Sequence, residues 1–221
     1  MLTYGITANV QISFSAPEVF TSAPLAPAQV TSMMPASGDF EALGAWRFQR
    51  SEPLVGTRFE STAYAGLLIP GPQNGGGILG SLKSGPGVYT AIATGMASRI
   101  NYFWAGIGNT HYAAKNGDRR PNILSYSLVY GFRPPAGRKD YPHLDWRVFA
   151  EMTGENFSEV RKADMEMSGT GGNEVFLGPT ALFIYKNYGI EGGIQFPIFR
   201  DVGSRFEREK YRFAIDFSYF F

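Results

Sequence analysis

Cysteine is missing from all 221 residues, and with it go disulfides, thiolate nucleophiles and Cys-ligated metal sites. Charge is scarce too: 18% of residues are charged, against about a quarter in soluble globular domains. The 20 Lys and Arg nearly cancel the 19 Asp and Glu, for a net charge of +1, so no basic stripe is available to a nucleic acid. No apolar run approaches the ~18 residues of a spanning helix; Ala65-Gly66-Leu67-Leu68-Ile69 stops at Pro70. Met1-Leu2-Thr3-Tyr4-Gly5 also lacks the basic start and apolar core of a secretory leader.

Glycine (27 residues) and aromatics (15%) are abundant instead. That balance suits a chain whose apolar surface is spread thinly, on alternate residues of many strands. The C-terminal segment is the clearest case. Tyr211, Phe213, Ile215, Phe217, Tyr219 and Phe221 fall on one face of a strand, and Arg212, Ala214, Asp216 and Ser218 on the other, because successive strand side chains point to opposite faces. Phe220 alone breaks the pattern.

The same period of two recurs upstream. Phe40, Trp46 and Phe48 alternate with Glu41 and Arg47; Leu124, Tyr126, Leu128, Tyr130 and Phe132 with Ser125, Ser127 and Arg133. Leu144, Trp146, Val148 and Met152 alternate with Asp145, Arg147 and Glu151, and Tyr188, Ile190, Ile194 and Phe196 with Glu191 and Gln195. Tyr102, Trp104, Thr110 and Tyr112 put aromatics at both ends of one face, as an interfacial girdle requires. Further strands are expected over 9–17, 58–69, 88–98 and 174–185. At ~9–14 residues these match a tilted strand that crosses a bilayer, rather than the ~5–6 typical of soluble sheets.

Tight turns are expected at Asn187 and within Tyr4–Asn9, and longer loops at 18–37, 71–87, 115–121, 156–173 and 199–208. The 133–143 connection, with Pro134-Pro135, is longer than a tight turn. Short turns on one side and long loops on the other is the pattern of outer-membrane barrels. The expectation is one domain over residues 1–221: an all-β, antiparallel transmembrane β-barrel in a bacterial outer membrane, its outer face against lipid. Counting strands back from the C-terminus gives about ten plus a remnant at Met1–Tyr4; bacterial barrels have even strand numbers, so a parent of about twelve strands, N-terminally truncated here, is expected.

The terminal strand resembles the C-terminal strand of outer-membrane barrels, which the barrel-assembly machinery recognises by a final Phe preceded by alternating apolar residues. More broadly, several short motifs resemble the "MetA-pathway of phenol degradation" family of outer-membrane barrels. They are Tyr4-Gly5-Ile6-Thr7, Gly38-Asp39-Phe40, Gly66-Leu67-Leu68-Ile69-Pro70-Gly71, Glu174-Val175-Phe176-Leu177-Gly178-Pro179 and Gly192-Gly193-Ile194-Gln195-Phe196-Pro197. These motifs mark turns and strand ends and carry no chemistry. The resemblance implies a transporter-like barrel that passes small hydrophobic or aromatic compounds across the outer membrane.

If the aromatic face meets lipid, the other lines the lumen with Glu41, Arg47, Arg58, Glu60, Asp145, Arg147, Glu151, Glu191, Arg212 and Asp216. Such a set serves equally as a polar pathway or as a self-neutralising network that plugs the interior, and ~12 strands fall between filled and open barrels. A structural barrel without transport and a soluble lipocalin-like carrier are therefore the alternatives. No enzyme, cofactor or metal is expected. His111 and His143 are the only histidines to serve a nucleophile. Asp164 and Glu166 are too sparse for calcium, and Gly75-Gly76-Gly77 and Gly169-Thr170-Gly171-Gly172 lack the Lys of a phosphate cradle. Met33-Met34, in the 18–37 loop, belongs to a surface loop or a plug.

Overall fold

The computed structural model describes residues 2–15, 39–70, 82, 84–138, 143–204 and 210–219. Most of the predicted loops 18–37 and 71–87, with Met33-Met34, the Gly75 triplet and terminal Phe221, lie outside the described residues. Within them the chain is all-β. One antiparallel sheet holds β1 (Leu2–Gly5), β2 (Val10–Ser15), β3 (Phe40–Leu54), β4 (Thr57–Ile69), β5 (Gly87–Ala97) and β6 (Asn101–Tyr112). It continues through β7 (Ile123–Phe132), β8 (Asp145–Phe157), β11 (Gly172–Tyr185), β12 (Tyr188–Val202) and β13 (Arg212–Tyr219). Strands β9 (Val160–Lys162) and β10 (Met165–Met167) form a separate hairpin. The sheet is a meander in chain order, with β1 and β13 at the two ends of that order. No helix among the described residues is long and apolar enough to cross a membrane.

The alternation of connections follows the sequence reading, with three refinements. β3 runs past its predicted end to Leu54 and turns back through Val55 and Gly56. Gly56 takes φ +75°, open to glycine at little steric cost. The 156–173 segment holds the β9–β10 hairpin, whose turn residues Ala163 and Asp164 both have positive φ, as a two-residue hairpin loop requires. β12 continues to Val202, so the loop expected from 199 begins later. The 133–143 connection is a 3-10 turn at Pro135–Gly137 as far as Arg138.

The two faces of the sheet differ sharply. Phe213, Ile215, Phe217 and Tyr219 are 70, 77, 63 and 54% exposed, and Leu67, Ile92, Ile107, Leu128, Phe183, Ile190 and Phe196 share their face and their exposure. Among the described residues more than thirty large apolar side chains are exposed, while nine apolar residues are buried. The buried ones include Leu68, Tyr89, Tyr102, Tyr112 and Phe176, all on the opposite face. This reverses the girdle expected on β6. Tyr102, Thr110 and Tyr112 are buried and point inward, and Phe103 and Ile107 take the exposed face. The inner tyrosines each have a polar reason to be there: Tyr112 donates to Asp39 (3.1 Å) and Tyr102 lies under the Arg147 guanidinium (5.1 Å).

That inner face is concave. Side chains stand roughly perpendicular to a sheet, and strands three apart on a flat one are roughly 14 Å apart. Yet Arg212 on β13 reaches Glu155 on β8 at 3.2 Å, and Tyr112 on β6 reaches Asp39 at the head of β3. Curling of the sheet lets such side chains meet while they stand off its face. Close packing across the ladders also explains part of the glycine content. At Gly95, Gly131 and Gly154 an added Cβ would overlap the ring of the cross-strand partner, Trp104, Phe149 or Tyr126, and at Gly87 it would come within 2.7 Å of Tyr112.

Candidate functional site

The concave face gathers most of the charged side chains of the sheet, and it sorts them into clusters by height. At the end where the short turns lie, Glu60 is the hub of the first cluster. It accepts from Arg47 Nη1 at 2.9 Å, with Arg58 Nε at 3.4 Å and Arg50 Nε at 4.0 Å. Arg47 also donates to Asn9 Oδ1 and to the Ala8 carbonyl, which ties β3 to the β1–β2 turn. In the second cluster Asp145 takes Arg133 Nε at 2.8 Å on one oxygen and Arg147 Nη2 at 2.9 Å on the other.

Two clusters occupy the long-loop end, and both are drier. Arg120 Nη1 donates to Asp39 at 2.8 and 2.6 Å, with side chains only 5% and 1% exposed. Tyr112 completes the group with its hydroxyl on Asp39 and its ring 5.1 Å from the guanidinium. Leu68 and Tyr89 pack against Tyr112, with Leu43, Tyr64 and Ala91 around them. In the fourth cluster Arg212 meets Glu155 and lies 3.8 Å from Glu174, which also accepts from Arg200 Nε at 2.7 Å. The Arg212 guanidinium sits 3.9 Å from the centre of the Phe176 ring.

The predicted lumen set thus divides. Arg47, Arg58 and Glu60 converge, as do Asp145 and Arg147. Arg212 pairs with Glu155 and Glu174, neither of which the sequence singled out. Glu191 and Asp216 stand directly opposite on β12 and β13, with Glu151 close enough to act on Glu191 electrostatically. Among the described residues neither these three acids nor Glu41 forms an ion pair with Lys or Arg. Glu151, Glu191 and Asp216 thus form a group of carboxylates with no ion-pair partner among the described residues. Among the described residues no group of His, Asp or Glu is placed to hold a metal ion.

Asp39, Arg120, Glu155, Glu174 and Arg200 fell outside the predicted lumen set because they sit at strand ends or in segments read as loops, and Arg133, though its alternation put it on the polar face, because it opens the 133–143 connection. The one available signal was parity: Glu155 continues the Asp145, Arg147, Glu151 face of β8. His111 projects from the convex side, opposite Val88, away from the charged clusters. Comparison with family models, with curated proteins and with solved structures finds no match.

Proposed function

We propose that this protein is a bacterial outer-membrane β-barrel that gives small hydrophobic or aromatic compounds a passage across that membrane. The observation that carries the membrane part is the inversion of the two faces. More than thirty exposed large apolar side chains, at half the area of an aromatic or aliphatic group, amount to on the order of 3000 Å² of apolar surface. The largest apolar patch on a typical soluble monomer is roughly 300–600 Å². Water would drive such a surface together; lipid solvates it. Most of the main strands, at 10 to 15 residues, have the length for a tilted crossing, and full closure of a meander this wide would remove its edges.

Passage of a solute is the further step. It is supported by the family resemblance of the turns and strand ends, by the tyrosines at the long-loop end, whose faces suit flat aromatic guests, and by the carboxylates of Glu151, Glu191 and Asp216, which have no ion-pair partner among the described residues. A plugged structural barrel is the second reading, and the four ion-pair clusters favour it. Outer-membrane fractionation and heat-modifiable gel mobility test the barrel. Recovery as a detergent-independent soluble protein would overturn it in favour of a soluble carrier. Single-channel conductance and uptake of a radiolabelled phenol in a porin-deficient host then separate passage from plug.

A further inference from the structure

We propose that Tyr4, Trp46, Tyr130, Tyr185, Tyr188 and Tyr219 form a one-sided belt that docks on the ester and phosphate groups of a phospholipid leaflet and sets the depth of the sheet in the membrane. The proposal rests on the barrel reading and adds to it which end of the sheet is held, and by what. All six side chains are exposed, at 47 to 71%, and all lie near the short turns. Tyr4 is next to the last residue of β1, and Trp46 faces Val10, the first residue of β2. Tyr130 lies close to the end of β7. Tyr185 and Tyr188 flank the β11–β12 turn, and Tyr219 faces Tyr188 with ring centres 5.2 Å apart. Lys186, in that turn, holds its Nζ 5.4 Å from the centre of the Tyr185 ring, a cation at the level where lipid phosphates stand.

The six share a level because of the stagger of the ladders. One ladder row runs from Val10 through Trp46, Ile92, Ile107 and Val175 to Phe199. It starts at a short turn and ends about ten residues up β12 from Tyr188, across about eight strand spacings. At ~3.3 Å per residue and ~4.8 Å per spacing, turns on one level require strands tilted by roughly 40°, within the range that barrels use. On that tilt the six belt residues span only about 10 Å of height, and the exposed series Tyr188, Ile190, Ile194, Phe196 and Ile198 spans about 25 Å, the height of an apolar membrane band. Tyr and Trp put an apolar ring in hydrocarbon and a donor in the polar layer, whereas Phe and Ile have nothing to offer that layer. The opposite rim is built of the second kind: Phe40, Ile69, Val88, Leu124 and Phe199 are exposed there, and among the described residues Tyr211 is its one exposed Tyr or Trp. The connecting segments 16–38, 71–81 and 205–209 contain neither Tyr nor Trp. The belt therefore belongs to one end.

The chain has no cysteine, so an introduced thiol takes a spin label uniquely. Ile190→Cys, Ile194→Cys and Ile198→Cys place labels along the exposed face of β12. The full-length protein is reconstituted in phosphatidylethanolamine–phosphatidylglycerol vesicles, and relaxation by oxygen against a water-soluble nickel chelate reads the depth of each label. The label at 194 is expected deepest, with those at 190 and 198 shallower. Tyr185→Phe, Tyr188→Phe and Tyr219→Phe together remove three hydroxyls and keep the rings. They are expected to shift the labels at 190 and 198 in opposite directions by about 2 Å or more, with that at 194 still deepest, while Tyr211→Phe shifts neither. Unchanged depths in the triple variant overturn the belt, and so does an equal shift from Tyr211→Phe. Equal nickel access at all three positions refutes membrane insertion itself, and the belt with it.

Discussion

Replacing Arg212 with Met keeps most of the side-chain stem and removes the charge from the driest strand-to-strand cluster. Arg212 donates to both oxygens of Glu155 at 3.2 Å, and the Glu155 side chain is 1% exposed. Glu174 keeps Arg200 at 2.7 Å, so the loss falls on Glu155 and on the Phe176 ring. Removing one partner of a buried pair costs up to about 3–5 kcal/mol when the other charge is left with no contact, and less where it keeps one, as Glu155 does. The ring contact is worth about 2 kcal/mol when dry, but these terms share a partner and do not add. The expected destabilisation is therefore about 1–5 kcal/mol. At a urea slope of about 3 kcal/mol per M this lowers the unfolding midpoint by roughly 0.3–1.7 M, read as the fraction migrating in the folded gel band after titration in lipid vesicles. Arg212→Met with Glu155→Leu should recover most of the loss. Asp216→Asn, on the same strand, should be neutral or gain a few tenths of a kcal/mol, since Asp216 faces Glu191 across the ladder. A loss of under about 0.5 kcal/mol for Arg212→Met, the scale of an exposed pair, would refute the claim that this end of the concave face is dry.

Three further outcomes are expected. Gly95→Ala should destabilise by about 1–3 kcal/mol in the same titration, because its methyl meets the Trp104 ring, while Gly44→Ala, with its nearest neighbour at 3.5 Å, should stay near wild type. Ile107→Arg, on the convex face opposite Ile92, should cost about 2–4 kcal/mol if that face is at mid-bilayer, and little in a soluble carrier. Gly56→Val forces a branched side chain to φ +75° against Arg99; loss of folded yield after refolding, rescued by Gly56→Asn, would locate the effect in the turn.

The sheet was legible in the sequence wherever one face is apolar and the other is not. β13, β8 and β12 alternate so cleanly that facing follows from period alone, and Phe213 and Arg212 lie as that period demands. β6 was misread because both its faces carry aromatics. Phe103 and Ile107 are as apolar as Tyr102 and Tyr112, and only the inward partners Arg147 and Asp39 decide between them. The charged clusters were half legible. Residues sharing a strand or a ladder, such as Asp145 and Arg147 or Arg58 and Glu60, could be placed together. Arg212 with Glu155, or Arg120 with Asp39, could not, because curvature sets those meetings and a strand pattern carries no curvature.

The glycines that lie beneath rings bear on how the chain finds its pairing. Gly87 with Tyr112 and Gly95 with Trp104 stand near opposite ends of the β5–β6 ladder, and Gly131 with Phe149 and Gly154 with Tyr126 do the same for β7–β8. A slip of one residue turns every side chain to the wrong face. A slip of two preserves the faces, and by apolar pattern alone it would go nearly unpunished. On β7–β8 it slides a residue bearing a Cβ under the ring at both ends in either direction; on β5–β6 it does so at both ends in one direction and at Trp104 alone in the other, where Gly85 would come under Tyr112. Each of these strand pairs therefore opposes the one misalignment that alternation tolerates with residues of its own, at one end of the ladder at least.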